Sequence, residues 1–158
     1  MGDRQHQYPV QVLWTGNHGS GTKTYQGYGR EHEVHVAGKP VIAGSSDAAF
    51  RGDGSKHNPE DMLVAALSSC HMLWYLHLAA VAGVVVTEYV DDAVGTLLEC
   101  GNDGRFTEVV LRPRVTITAH SDPEAAKRVH DDAHHACFIA NSVNFPVRCE
   151  PRIVIESV

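Results

Sequence analysis

A chain of 158 residues, 43% hydrophobic and 20% charged, has the length and composition of one ordinary globular domain with a real core. Its net charge of -6, with no block of Lys or Arg, argues against a nucleic-acid-binding surface, which needs clustered positive charge to displace counterions. The eleven histidines are the compositional oddity, since they can titrate near neutrality or bind metal.

The opening residues "MGDRQHQYPV" lack the apolar run of a secretory signal, and His6 stands where a myristoylation motif needs Ser or Thr. A cytoplasmic location is therefore expected. There Cys70, Cys100, Cys137 and Cys149 should be mostly reduced, and none forms a CxxC pair.

"YPVQVLWT" is a β-type run, and the glycines of "GNHGSGT" mark a turn. "KTYQGYGREHEVHV" alternates well enough to pair back as a second strand. "AGKPVIAGSSDAAFRGDGSKH" reads as a long ordered loop, a kind of segment that often carries function. A helix then opens with Asn58 as N-cap, Pro59 at its first position and Glu60 and Asp61 at its positive end. It should run to about Ala82 and stop at Gly83. From Met62 to Val86 there is no Asp, Glu, Lys or Arg, enough to span a bilayer. Ser68, Ser69, His71, Tyr75 and His77 interrupt its centre, so a helix buried in protein is expected, with no membrane partner.

"VVVTEYVDDAVGTLLEC" and "RFTEVVLRPRVTITAH" follow as two long strands joined around "GNDG". A second helix enters through Asp122, Pro123 and Glu124, and "RCEPRIVIES" closes the chain as a strand. The order argues for an α+β fold in a single domain over residues 1–158. If one chain cannot cover the apolar first helix, a partner subunit should.

Cys70 is the chemically interesting residue. At about 100° per residue, Leu63, Leu67, Cys70, Trp74 and Val81 fall along one side of the helix, where Cys70 can serve as a small hydrophobe. A metal reading joins Cys70 and His71 to His130, His134, His135 and Cys137; His130, His134 and Cys137 share a face at i, i+4, i+7, although a solvated surface explains that spacing equally. A redox reading pairs Cys70 with Cys137: a thiolate attacks a peroxide, becomes a sulfenic acid, and a second thiol condenses with it to a disulfide.

The redox reading needs a cation, because burial raises a thiol pKa and the helix dipole fades after one turn. Arg51 is the candidate, since Arg stays charged when desolvated and donates to peroxide and alkoxide oxygens. Glu60 would hold it. Glu60 lies about 15 Å from Cys70 along a straight helix, so a shared site would take its Glu60 from a neighbouring subunit of a two-fold dimer.

"NPEDMLVAALSSCH" and "HHACFIANSV" together resemble the two motifs of the OsmC/Ohr family of organic-hydroperoxide reductases. The resemblance spans most of the chain in element order. It implies an OsmC-like fold, with strands packed around a long central helix, in an intertwined homodimer whose two sites lie at the interface. It carries the peroxidatic role to Cys70, the resolving role to Cys137 and the Arg-anchoring role to Glu60. The catalytic Arg falls to Arg51, with Arg30 as the other candidate. The implied substrate is an organic hydroperoxide, the reductant an external dithiol of the dihydrolipoyl type, and no bound cofactor is expected. His71 stands where peroxidase branches tend to carry an aromatic, and the second motif reads Cys-Phe-Ile-Ala-Asn in place of Cys-Pro-x-Ser. Trp74, Leu67 and Phe138 are candidates for an apolar substrate approach, while Cys100 and Cys149 are expected to be structural. The alternative is a non-enzymatic protein that uses the same fold to bind a small apolar ligand or to sense thiol stress.

Overall fold

The computed structural model describes residues 2–157. The chain divides into two compact units, Met1–Met62 and Leu63–Val158. In the first, β1 (Gln11–Trp14), β2 (His32–His35) and β3 (Ile42–Gly44) form an antiparallel sheet in that order. Val12 lies opposite Val34, which in turn lies opposite Ile42. Only the "HEVH" end of the predicted second strand is extended. The glycine-rich stretch before it folds back through turns, with Gly29 donating to the Gly16 carbonyl at 2.8 Å and the Trp14 indole donating to the Gly29 carbonyl at 2.8 Å. Part of the predicted long loop is regular: it holds β3 and a 3-10 turn at Ala48–Phe50, capped by Asp47.

The helix α1 (Pro59–Val81) starts and stops where its local chemistry dictates. The Asn58 side chain accepts from the Asp61 N–H at 2.7 Å, and Asp61 reaches back to the Asn58 N–H, a reciprocal cap that satisfies two otherwise orphaned donors. Gly83, at φ +73°, takes the left-handed turn that ends the helix.

In the second unit, β4 (Val86–Asp91), β5 (Val94–Cys100), β6 (Asp103–Leu111), β7 (Pro113–Ile117), β8 (Val147–Cys149) and β9 (Arg152–Ile155) form two three-stranded sheets. Their orders are β4-β7-β9 and β5-β6-β8. The two long strands and the closing strand expected from the sequence are each broken in two, and the chain passes from sheet to sheet at each break. The causes are local. Pro113 and Pro151 have no N–H to continue a ladder, and the Asp91 carboxylate takes the Arg112 N–H at 2.6 Å in place of a strand partner. The β5–β6 hairpin does turn at Gly101 and Asn102, with Gly101 at φ +64°.

The face of α1 that is fully buried carries Leu67, His71, Tyr75 and Ala79, one residue every fourth position. This corrects the expected stripe: Val81 is 73% exposed, and Cys70 and Trp74 flank the buried row. Leu67 packs with Val109 and Leu111 of the β5-β6-β8 sheet. Tyr75 and Ala79 pack with Val115 and Ile117 of the other sheet and with Ala126, Val129 and Ala133 of α2 (Pro123–Ala136). The result is an α+β fold built on one long helix and small sheets. Only four of the 23 residues of α1 are fully buried, so much of its apolar surface stays open: Leu73 is 62% and Leu76 37% exposed.

Candidate functional site

The turn of α1 that carries Cys70 is tied down on both sides. Ser68 donates to Asp91 at 2.5 Å, the same carboxylate that holds the Arg112 N–H. Ser69 donates back to the Ala65 carbonyl at 2.7 Å, the local bond by which a mid-helix serine satisfies itself. Cys70 is half-buried and not in a disulfide.

Cys137 closes α2. Asp122 caps the start of that helix, accepting from the Glu124 N–H at 2.9 Å, and the Cys137 N–H reaches the His134 carbonyl at 3.3 Å at its end. The following turn wraps the sulfur: the Ala140 N–H points at Sγ from 3.5 Å, and the Asn141 N–H donates to the Cys137 carbonyl at 3.0 Å. Asn141 also donates through its side chain to the His135 carbonyl at 3.0 Å. The thiol thus held lies close enough to Cys70 for the two to influence each other. Burial pushes the Cys137 thiol up to about 11; the Ala140 N–H opposes that rise and the neighbouring Cys70 adds to it. Two thiols from separate helices therefore meet, one partly accessible and one enclosed and protonated at neutral pH.

Beside them Trp74, one turn beyond Cys70, meets Phe138 edge to face with ring centroids 5.4 Å apart. Phe138 is 67% exposed, so this aromatic pair forms an apolar surface next to the thiols. Leu67, suggested for the same role, is fully buried in the core.

The remaining candidates lie in the first unit. Arg51 follows the 3-10 turn in a left-handed conformation at φ 65°, exposed, with its guanidinium 5.9 Å from the Tyr25 ring centroid. Arg30 is committed elsewhere: it donates to the Tyr28 carbonyl and, at 2.7 Å, to the Tyr25 carbonyl, and lies over both tyrosine rings. Glu60 occupies the first turn of α1. Among the described residues, no ion pair joins Glu60 to Arg51 within the chain.

The histidine-rich metal set suggested by spacing is not assembled as expected. His135 is exposed, bonded to the Asp131 carbonyl at 2.7 Å. His71 of α1 and His130 of α2 are instead buried together, with His71 Nε2 and His130 Nδ1 3.0 Å apart and their rings parallel to within 4°. Tyr75 stacks on His130 with centroids 4.0 Å apart. Cys149, which the sequence suggested was merely structural, completes the cluster, its Sγ 3.7 Å from His71 and 3.8 Å from His130. Burial lowers His71 to about 4, against a weaker upward pull from Asp91, and lowers His130 to about 3. No spacing could have revealed this trio, because its members come from α1, α2 and β8.

An α+β fold in which two helices bring a half-exposed and a buried cysteine together defines a two-thiol protein with an adjoining aromatic surface. The OsmC-like protein family matches residues 52–152, and the chain belongs to that family. An OsmC-like protein of unknown function from Vibrio cholerae is 34% identical, with a TM-score of 0.85 over 93% of this chain and 99% of its own. An organic hydroperoxide resistance protein from Elizabethkingia anophelis shares the fold at a TM-score of 0.67 and 17% identity, over 97% of this chain and 100% of its own. One from Legionella pneumophila does so at 0.66 and 16%, over 96% of this chain and 98% of its own. No curated protein matches the sequence.

Proposed function

We propose that the protein is a thiol peroxidase that reduces organic hydroperoxides to alcohols. The observation carrying this reading is the meeting of Cys70 and Cys137. Cys70 attacks as thiolate at the terminal peroxide oxygen; the O–O bond breaks, the alkoxide takes a proton and leaves as alcohol, and Cys70 becomes a sulfenic acid. Cys137 then attacks that sulfur, releasing water and forming a disulfide, which an external dithiol of the dihydrolipoyl type reduces by exchange. The Trp74–Phe138 surface favours an alkyl or aryl substituent on the peroxide.

Arg51 is the cation of the reaction, because Arg30 is already held by two carbonyls and two aromatic rings. Glu60 reaches it from a second copy of the chain in a homodimer. The open apolar surface of α1 at Leu73 and Leu76 supports such a partner. The reducing cytoplasm is the compartment in which resting dithiol and external reductant fit together.

The test is cumene hydroperoxide turnover with a dithiol reductant. Wild-type protein turns over and Cys70→Ser does not; full activity in that variant refutes the assignment. Wild-type protein that forms the Cys70–Cys137 disulfide yet does not cycle with any dithiol supports thiol-stress sensing instead.

A further inference from the structure

The mechanism leaves one buried constellation unused. His71, His130 and Cys149 bring three metal-ligating atoms within 4.8 Å of one another, on three elements that the core holds in place. We propose that they form a site for a thiophilic divalent cation of the zinc type, separate from the Cys70–Cys137 pair.

The donor set is one zinc accepts: two imidazole nitrogens and a cysteine sulfur. The spacing fits as well. Zinc–nitrogen and zinc–sulfur bonds of about 2.0 and 2.3 Å at tetrahedral angles put two nitrogens about 3.3 Å apart and a nitrogen and sulfur about 3.5 Å apart. The cluster shows 3.0 Å for the nitrogens and 3.7 and 3.8 Å for the sulfur distances. Three ligands leave a fourth position for water or an exogenous donor. A cavity of about 370 Å³ opens beside the cluster; His130 and Cys149 line it together with the carboxylates of Glu124 and Asp131 and the cations of Lys127 and Arg128.

The distal nitrogens of the two buried histidines lack partners whether or not an ion is bound, so what favours an ion is the facing side of the cluster. Without a metal, one ring donates to the other across the 3.0 Å gap, and that single proton is all the pair shares. His71 Nδ1 and His130 Nε2 have no hydrogen-bond partner, although their residues are 1% and 2% exposed. An ion takes the place of the shared proton and gives both facing nitrogens a ligand role, with Cys149 losing its thiol proton to become the third ligand. The distal nitrogens then carry the hydrogens. They lack the acceptors that tighten many zinc sites, so the bound ion should exchange with chelators more readily than a structural zinc.

The full chain, stripped with chelator under reducing conditions, is titrated separately with zinc and cobalt. One metal per chain is expected, and cobalt should give a tetrahedral visible spectrum with a sulfur-to-cobalt charge-transfer band in the near ultraviolet. Cys149→Ser removes the band. A Cys70→Ser, Cys100→Ser, Cys137→Ser triple variant retains it, which assigns the sulfur to Cys149 without altering the site. Substoichiometric metal in the wild-type chain, or loss of the band in a folded triple variant, overturns the proposal and leaves a plain histidine–histidine hydrogen bond.

Discussion

Cys137, enclosed at the end of α2, faces Cys70 in the middle of α1 with its thiol held in the protonated state. Closing a disulfide from this arrangement requires Cys137 to lose its proton. With its pKa pushed up to about 11, the thiolate fraction, and so the rate of closure, should rise roughly tenfold per pH unit from neutrality toward that value. Stopped-flow mixing of reduced protein with one equivalent of cumene hydroperoxide, followed by quenched mass analysis between pH 7 and 10, measures it. A pH-independent closure step removes the free Cys137 proton from the mechanism. Cys137→Ser should still consume one equivalent of peroxide, but its sulfenic acid should persist, and turnover should fall by about tenfold or more once the neighbouring thiol is gone.

Ser68 and Arg112 share the carboxylate of Asp91, which pins the helix turn before Cys70 to the break between β6 and β7. Replacing Asp91 by Ala leaves a backbone N–H and a hydroxyl to find water at a half-buried junction. We expect a loss of about 2 kcal/mol, against ~1 kcal/mol for Ser68→Ala, which removes only one of the two bonds. Differential scanning calorimetry should show the Asp91→Ala midpoint about 4–8 °C lower. Equal losses for the two variants would mean that the Arg112 bond contributes nothing.

The same junction shows what a sequence can and cannot disclose. The start of α1 was legible because Asn58, Pro59 and Asp61 act within one turn, and its end because Gly83 needs no distant partner. The α+β class and the family were legible for a related reason: each of the two motifs is a short run on one element. The breaks in the long strands were not legible, since alternation continues through Asp91–Val94 and Leu111–Pro113 while a side chain from elsewhere takes the ladder bond. Nor was the His71–His130–Cys149 cluster, which exists only once α1, α2 and β8 have packed. The face of α1 was misplaced for the same reason: nearly every residue on it is apolar, so only the positions of the sheets select Leu67, His71, Tyr75 and Ala79 as the buried row.

His71 and His130 should make the metal-free fold acid-sensitive. Burial holds them at about 4 and about 3, whereas in the unfolded chain they titrate near the ordinary value of 6.5. Both pKa values are depressed by folding, so the unfolded state binds more protons between pH 6.5 and 4. Stability contributed by the neutral pair is full above pH 6.5 and is lost as the pH falls toward 4 and 3. Urea unfolding of chelated protein at pH 7 and pH 4.5 should show a drop of a few kcal/mol, and a His71→Gln, His130→Gln double variant should show a smaller one. A wild-type drop no larger than the variant's would place the acid sensitivity in other groups.

Leu73 lies on the side of α1 that its own chain leaves uncovered, 62% exposed in a helix otherwise almost free of charge after its first turn. In an isolated chain, Leu73→Glu should be nearly neutral for stability, since the side chain already faces water. If a second copy covers this surface, the new carboxylate must be desolvated against apolar neighbours, and the dimer should weaken by several kcal/mol. Sedimentation equilibrium distinguishes the cases: wild-type protein dimeric at micromolar concentration and Leu73→Glu shifted to monomer, with intact helical circular dichroism. The activity readout then follows from where Glu60 acts. On the proposed reading, in which the other chain supplies the carboxylate that orients Arg51, a folded monomer with free Cys70 and Cys137 should lose most of its peroxide turnover. Full activity in a demonstrated monomer would mean that each chain completes its own site.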